Sequence, residues 1–177
     1  MRLLTVIVVA ILAAACACPA AEWVDEAPDG ADAIVLTVCL DDSLSAEGRR
    51  LMRTAIREWD YALGGLRLIR DESASGDCDV TVLESSTVPE HLGPDVAGWA
   101  HDEGALTKWR TVTLFAGRYE GCYRAALHEL GHVLGATHSD GDLMSPAGDD
   151  CGIIDEDAAR QAAEAMGLTA YTWQRQQ

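Results

Sequence analysis

The stretch HELGHVLGATH, which runs from residue 128 to residue 138, holds three of the chain's five histidines and one glutamate. His128 and His132 are four residues apart, so on a helix their imidazoles lie on one face while the apolar neighbours gather on the other. Gly135 ends this helix, where a glycine can adopt a positive φ and turn the chain sharply. We expect this turn to bring His138 back toward the first two imidazoles.

Three converging imidazoles beside a carboxylate are typical of a catalytic zinc site. Neutral imidazoles lie about 2.0–2.1 Å from zinc, and three protein ligands leave one coordination position open. Water at that position has its pKa lowered toward about 7. Glu129, on the flank of the histidine face, can then accept the proton. The sequence therefore predicts one catalytic Zn²⁺ held by His128, His132 and His138, with Glu129 as the general base.

The simplest alternative is a helix that carries surface histidines. It explains His128 but not a third histidine placed after a glycine turn. A match to all five spaced residues arises by chance in only about one chain in 20,000 of this length. Imidazole ligands alone do not choose zinc over neighbouring divalent ions, so the identity of the metal stays open.

This spacing resembles the metzincin signature H-E-x-x-H-x-x-G-x-x-H, and the following DLMSP supplies Met144 at the place of the methionine turn of that clan. Within that clan the segment is most similar to the matrixin catalytic domain, because a serine, Ser139, directly follows the third histidine. The resemblance covers about residues 33–168. It implies an exported zinc endopeptidase, with Met144 as an apolar floor below the metal rather than a ligand.

The resemblance also has consequences for substrate and for metal content. Matrixin substrates lie antiparallel to an edge strand, which here would be near Val96–His101. Matrixins hold a second, structural zinc through three histidines and an aspartate. Only His91 and His101 occupy that region here, so we interpret both as ordinary loop or surface residues and predict one zinc per chain. The short connection from His138 to Met144 departs from the matrixin pattern.

The periodicity of the chain predicts an α/β (α+β) fold. Apolar runs indicate strands at 33–40, 66–69, 78–84 and 109–117, with a short edge strand in 96–104. A stripe of apolar residues that includes Trp59 predicts a helix capped by Ser43 or Ser45 and ended by Gly64-Gly65. Together with the resemblance, this implies a zincin-like mixed twisted β-sheet with two long helices, the second over 121–134, and a C-terminal helix capped by Asp155.

The N-terminal residues predict export. Residues 1–18 have a positive start, an apolar run and small residues, which is typical of a signal peptide. Cys16, or else Cys18, matches a bacterial lipoprotein pattern, which leaves simple secretion and a lipid anchor as alternatives. Residues 19–32 form a short leader or tether, and residues 33–177 form one catalytic domain.

Charge and cysteines limit the partners. A net charge of −16 argues against nucleic acid and anionic membrane, leaving a lipid anchor as the one membrane contact. We expect a monomer that acts on a protein or peptide substrate and favours basic or neutral ones. In an oxidising compartment the four remaining cysteines predict two disulfides. Three pairings are open, and Cys122–Cys151 with Cys39–Cys78 is the one we favour.

Two other functions fit the same residues. The first is a non-catalytic zinc-binding envelope or surface interaction protein, against which Glu129 argues because binding alone needs no acid there. The second keeps the site but narrows its use to a processing enzyme with one partner, or to a toxin that acts on another cell.

Overall fold

A computed structural model describes most of the region from Ile34 to Leu168. The described residues are 34–64, 66–71, 78–101, 111–119, 123–140, 143–146 and 152–168. The predicted signal peptide at 1–18, the leader at 19–32 and the favoured Cys122–Cys151 disulfide lie outside them. No helix within the described ranges combines the length and the apolar character that crossing a membrane would require.

One mixed sheet of five strands forms the scaffold. Its spatial order is β2-β1-β3-β5-β4, with β4 at one edge. Strands β1, β2, β3 and β5 pair in parallel, whereas β4 runs antiparallel to β5, with Gly98 opposite Leu114 and His101 opposite Thr111. The strands are β1 (Ile34–Leu40), β2 (Leu66–Asp71), β3 (Val80–Ser85), β4 (Gly98–His101) and β5 (Thr111–Phe115).

The described residues also form three helices, and together with the sheet these confirm the predicted class. They are α1 (Ala46–Ala62), α2 (Arg124–Val133) and α3 (Glu156–Ala165). The structure selects Ser45 as the cap of α1, since its side chain accepts a hydrogen bond from the Gly48 N–H. Asp155 caps α3 in the same way at Ala158. Among the described helices α1 is the longest, with 17 residues, while α2 and α3 have ten each.

The apolar stripe of α1 forms much of the core, as predicted. Trp59 is fully buried, and its indole N–H donates to the Leu127 carbonyl oxygen at 3.0 Å. This bond ties α1 to α2, and α2 in turn contacts β4 and β5. The position of α2 is therefore fixed from both sides, by α1 and by the edge of the sheet.

A disulfide joins Cys39, near the end of β1, to Cys78, just before β3. This bond is one half of the favoured pairing. Closing a loop of this length stabilises a fold by about 4 kcal/mol in the chain-entropy account. Disulfides of this kind are typical of oxidising compartments, which agrees with the predicted export.

Candidate metal centre

Helix α2 separates a core face from a polar face, as the spacing predicts. Its apolar side chains are buried between α1 and the sheet, at Leu127, Leu130 and Val133. His128 and His132 lie on the other face with their rings 4.8 Å apart. The core side therefore fixes the rotation of the helix, and with it the direction of both imidazoles.

Backbone carbonyls orient these two imidazoles. The Nδ1 atom of His128 lies 2.8 Å from the Leu143 carbonyl oxygen, and the Nδ1 atom of His132 lies 2.9 Å from that of Ala136. A carbonyl oxygen can only accept, so each Nδ1 carries the hydrogen of a neutral ring. Each Nε2 then presents a lone pair, which is the form that binds a metal ion.

The third imidazole completes a convergent group of nitrogen atoms. The Nε2 atom of His138 lies 3.3 Å from that of His128 and 3.2 Å from that of His132. Tetrahedral ligands about 2.05 Å from one zinc ion would be roughly 3.3 Å apart. Because the Nε2 atoms of His128 and His132 both present lone pairs, a cation among the three nitrogen atoms offsets their repulsion. The three histidines could therefore hold a metal ion. In the described part of the chain they form the group of potential ligand side chains that lie close enough together to do so.

The bend before His138 depends on Gly135. This residue has a φ of +99°, and a Cβ at this position would overlap the Cβ of Ala165 in α3. The Ala136 N–H closes the turn by donating to the Gly131 carbonyl oxygen at 2.9 Å. A positive φ and a close neighbour thus both require glycine, which confirms the predicted turn.

Met144 lies in the short segment that follows. It is fully buried, and its sulfur packs against α2 at Gly131, where a Cβ would be 2.9 Å from it. Trp59 lies against the same face of this glycine, where a Cβ would be 3.1 Å from its indole ring. The burial agrees with an apolar floor, and Ser139 closes the segment by donating its N–H to the Met144 carbonyl oxygen at 3.3 Å.

Glu129 lies against the edge strand β4. It is 7% exposed, and its carboxylate accepts a hydrogen bond from the Ala100 N–H. The approach is close because Gly98 has no side chain, and a Cβ there would be 2.7 Å from the Cγ of Glu129. Sequence spacing placed Glu129 on the flank of α2 but did not reveal these two contacts.

Burial changes the proton affinity of the site. Desolvation raises the pKa of Glu129 to about 7, because the charged carboxylate loses water. Desolvation lowers the pKa of His128 to about 4 and also lowers that of His132, because burial disfavours imidazolium. Near neutral pH both imidazoles are therefore in the neutral form that can bind a metal, and the carboxyl can gain or lose a proton.

Exposure increases across the three histidines. His128 is buried, His132 is half-buried and His138 is exposed. The centre therefore opens to solvent on the side of His138, where water or a solute can approach.

Three further residues hold the segment that carries His138, and sequence analysis did not assign them there. Gln161 accepts from both the N–H and the hydroxyl of Thr137, at 2.9 and 2.8 Å. Asp155 accepts from the Leu143 N–H at 3.1 Å in addition to capping α3. Arg124 donates to the carbonyl oxygens of Leu143 and Ser145. The one sequence signal was the position of Arg124, four residues before His128.

The other two histidines of the chain both contact Trp99. His101 stacks on its ring at 4.2 Å and places Nε2 3.0 Å from the Thr113 hydroxyl oxygen, while His91 meets the ring edge at 5.3 Å. His91 is exposed in a loop, whereas His101 is half-buried in the edge strand β4.

Comparison with known proteins does not identify this site, so its interpretation depends on its geometry. No model of a known protein family matches the chain, and no curated protein matches it at a significant level.

Proposed function

We propose that this protein is an exported zinc endopeptidase of the metzincin kind. The observation that carries the proposal is the convergence of three imidazole nitrogen atoms from a helix and turn that also carry a buried carboxylate, Glu129. The same group on a protein that only binds metal would not need Glu129. Zinc is favoured because three imidazoles at tetrahedral separation, open on one side, are its usual catalytic ligands.

The hydrolytic chemistry divides between the ion and Glu129. A bound Zn²⁺ supplies Lewis-acid chemistry, since it polarises a carbonyl and acidifies water. Glu129 accepts a proton from water as the water oxygen adds to the scissile carbonyl carbon. As the C–N bond breaks, the same carboxyl gives that proton to the leaving amine. In the metal-free fold, a pKa of about 7 lets this carboxyl both accept and release a proton near neutral pH.

Strand β4 supplies a place for the substrate. It lies at the edge of the sheet, within the range 96–101 expected from the sequence. Its Gly98 and Ala100 face Glu129, so a peptide paired antiparallel with this edge would run past the carboxylate. The net charge of −16 favours the approach of basic or neutral peptides over acidic ones.

The decisive experiment compares two buried carboxyls. Glu58 on α1 is 7% exposed, as is Glu129, and burial raises its pKa to about 7 as well. We expect Glu129→Gln to lower peptide hydrolysis by about 10²- to 10⁴-fold while zinc stays bound. Glu58→Gln should keep the activity. Digestion of casein or gelatin, with and without a chelator, measures the hydrolysis by each variant. Elemental analysis measures the bound zinc.

Each other outcome favours a different function. Wild-type protein that binds one zinc but cuts no member of a proteome-derived peptide library would support the interaction protein. Cleavage restricted to one sequence in that library would support the processing enzyme or toxin. Glu129→Gln protein that hydrolyses at the wild-type rate would exclude the proposed role of Glu129.

A further inference from the structure

Arg124 occupies an unusual place relative to the candidate metal centre. It lies one helical turn before His128 on α2, so the two side chains share a face. Its guanidinium leaves the helix and reaches the segment after His138. One nitrogen, Nη2, donates to the Leu143 carbonyl oxygen at 3.1 Å and to the Ser145 carbonyl oxygen at 2.6 Å.

The Leu143 carbonyl is the same group that accepts from His128. The imidazole Nδ1 lies 2.8 Å from that oxygen. The Leu143 N–H is held as well, since it donates to Asp155 at 3.1 Å. The peptide groups at Leu143 are therefore held by Arg124 of α2 and by Asp155, the cap of α3. The carbonyl of Leu143 in turn fixes the ring orientation of His128.

Packing fixes Arg124 in this conformation. Gly152 is buried against the arginine stem, where a Cβ would be 2.8 Å from Cγ. Arg124 itself is half-buried, and so are its bonds to the two carbonyls. A charged donor gives stronger hydrogen bonds to carbonyl oxygens than a neutral one. The carbonyl at Leu143 thus has little freedom to turn away from His128.

We propose that Arg124 is a positioning residue for the metal centre, which holds the Leu143 carbonyl and through it the His128 imidazole. The inference rests on the proposed metal site but not on peptide hydrolysis. Groups that orient a ligand histidine usually change metal affinity roughly 10- to 100-fold when they are removed. Arg124 would act in this way through one intervening backbone group.

Arg49 provides a matched control. It also lies on a helix, is mostly buried, and donates to two backbone carbonyl oxygens, those of Leu40 at 3.2 Å and Asp41 at 2.9 Å. These carbonyls belong to the last residue of β1 and to the residue after it, and neither accepts from a ligand histidine. Arg49→Met therefore removes the same kind of contact from the same fold without touching the metal centre.

The test measures zinc affinity by competition with a chelating dye, with Arg124→Met, Arg124→Lys and Arg49→Met compared with wild type. We expect Arg124→Met to weaken zinc binding roughly 10- to 100-fold. Arg124→Lys keeps the charge but has a compact donor in place of the planar fork, so it should fall between. Arg49→Met should bind zinc as wild type does, even if it unfolds at a lower temperature.

A second measurement separates orientation from general loosening. In Co²⁺-substituted protein, the visible absorption reports ligand geometry, so Arg124→Met should change the spectrum at saturating Co²⁺ and Arg49→Met should not. If Arg124→Met does not fold, Arg124→Lys provides the same comparison.

Two results would overturn the inference. One is wild-type affinity and spectrum in the folded Arg124 variants, and the other is an equal loss of affinity in Arg49→Met. Wild-type protein that binds no zinc would instead remove the metal centre itself, and with it this role of Arg124. A protein that binds zinc but cuts no peptide would leave the inference intact.

Discussion

The two halves of the candidate metal centre are built differently. His128 and His132 belong to the helix half, residues 124–133, where one helical period aligns them. His138 belongs to the loop half, residues 135–140 and 143–146, whose shape depends on side chains of α2 and α3. Yet the loop half also supplies the carbonyl oxygens of Leu143 and Ala136 that orient the two helix histidines.

The two halves are therefore not independent. A change confined to the loop half should disturb all three ligands, since it carries one and orients the other two. A change to the helix half that leaves its backbone in place should disturb only the group that is altered, except at Arg124, whose side chain reaches the loop half.

The largest effect is expected at Gly135. Alanine there would have to adopt a φ of +99° and would overlap Ala165. We therefore expect Gly135→Ala to lower the free energy of unfolding by about 4 kcal/mol and to abolish zinc binding. Gly117 also has a positive φ, of +76°, but nothing lies within 4 Å of a Cβ there. Gly117→Ala should therefore lose only about 1–2 kcal/mol and keep the metal. Urea unfolding and zinc titration give both values, and equal losses in the two variants would contradict the steric argument.

The next largest effect concerns Glu129, in the helix half, whose contribution to stability depends on pH. In the metal-free fold the pKa of Glu129 is about 7, above the ordinary 4.5, so the fold retains this proton where the unfolded chain has lost it. The stabilising contribution is full below pH 4.5 and is lost as the pH rises through 7. Above this pKa, the buried and ionised Glu129 carboxylate lowers the stability of the metal-free fold by on the order of 3 kcal/mol.

Glu129→Gln should therefore stabilise the metal-free protein by on the order of 2–3 kcal/mol at pH 8 and by little at pH 4.5. The amide oxygen can still accept from Ala100. Glu58→Gln should show the same gain, because burial raises the pKa of Glu58 to about 7 too. Denaturant unfolding at several pH values checks this, and a gain that does not vary with pH would refute it. Only Glu129→Gln should lose hydrolysis.

The smallest effect is expected at Gln161. Gln161→Met removes the acceptor for both Thr137 donors, which should lower stability by about 1 kcal/mol. Zinc should dissociate several-fold faster, because the residue beside His138 is released. Arg160→Met, on the same helix, breaks exposed ion pairs with Asp157 and Glu164 but leaves the loop half alone. If both variants release zinc at the wild-type rate, α3 does not hold the third ligand.

The helix half could be predicted almost completely from the sequence. The i, i+4 spacing of His128 and His132 and the apolar residues between them determine their direction once α2 forms. The bend at Gly135 was also predictable, since a glycine after the last apolar turn has few other uses. Trp59 in the core follows from the stripe on α1 for the same local reason.

The supports of the loop half could not be predicted, because they join distant parts of the chain. Arg124 meets Ser145 across 21 residues, and Gln161 meets Thr137 across 24. No local period records such pairs, and Asp155 was visible only as a helix cap. The contact of Glu129 with Gly98 and Ala100 likewise requires knowledge that β4 is the strand beside α2.

The Cys39–Cys78 bond has a consequence for survival outside a cell. Helix α1 and strand β2 both lie between these cysteines in the chain. A backbone cut by a protease anywhere from residue 40 to residue 77 leaves both fragments linked through sulfur. Strand β2 would then stay beside β1, and a nicked molecule could keep its shape.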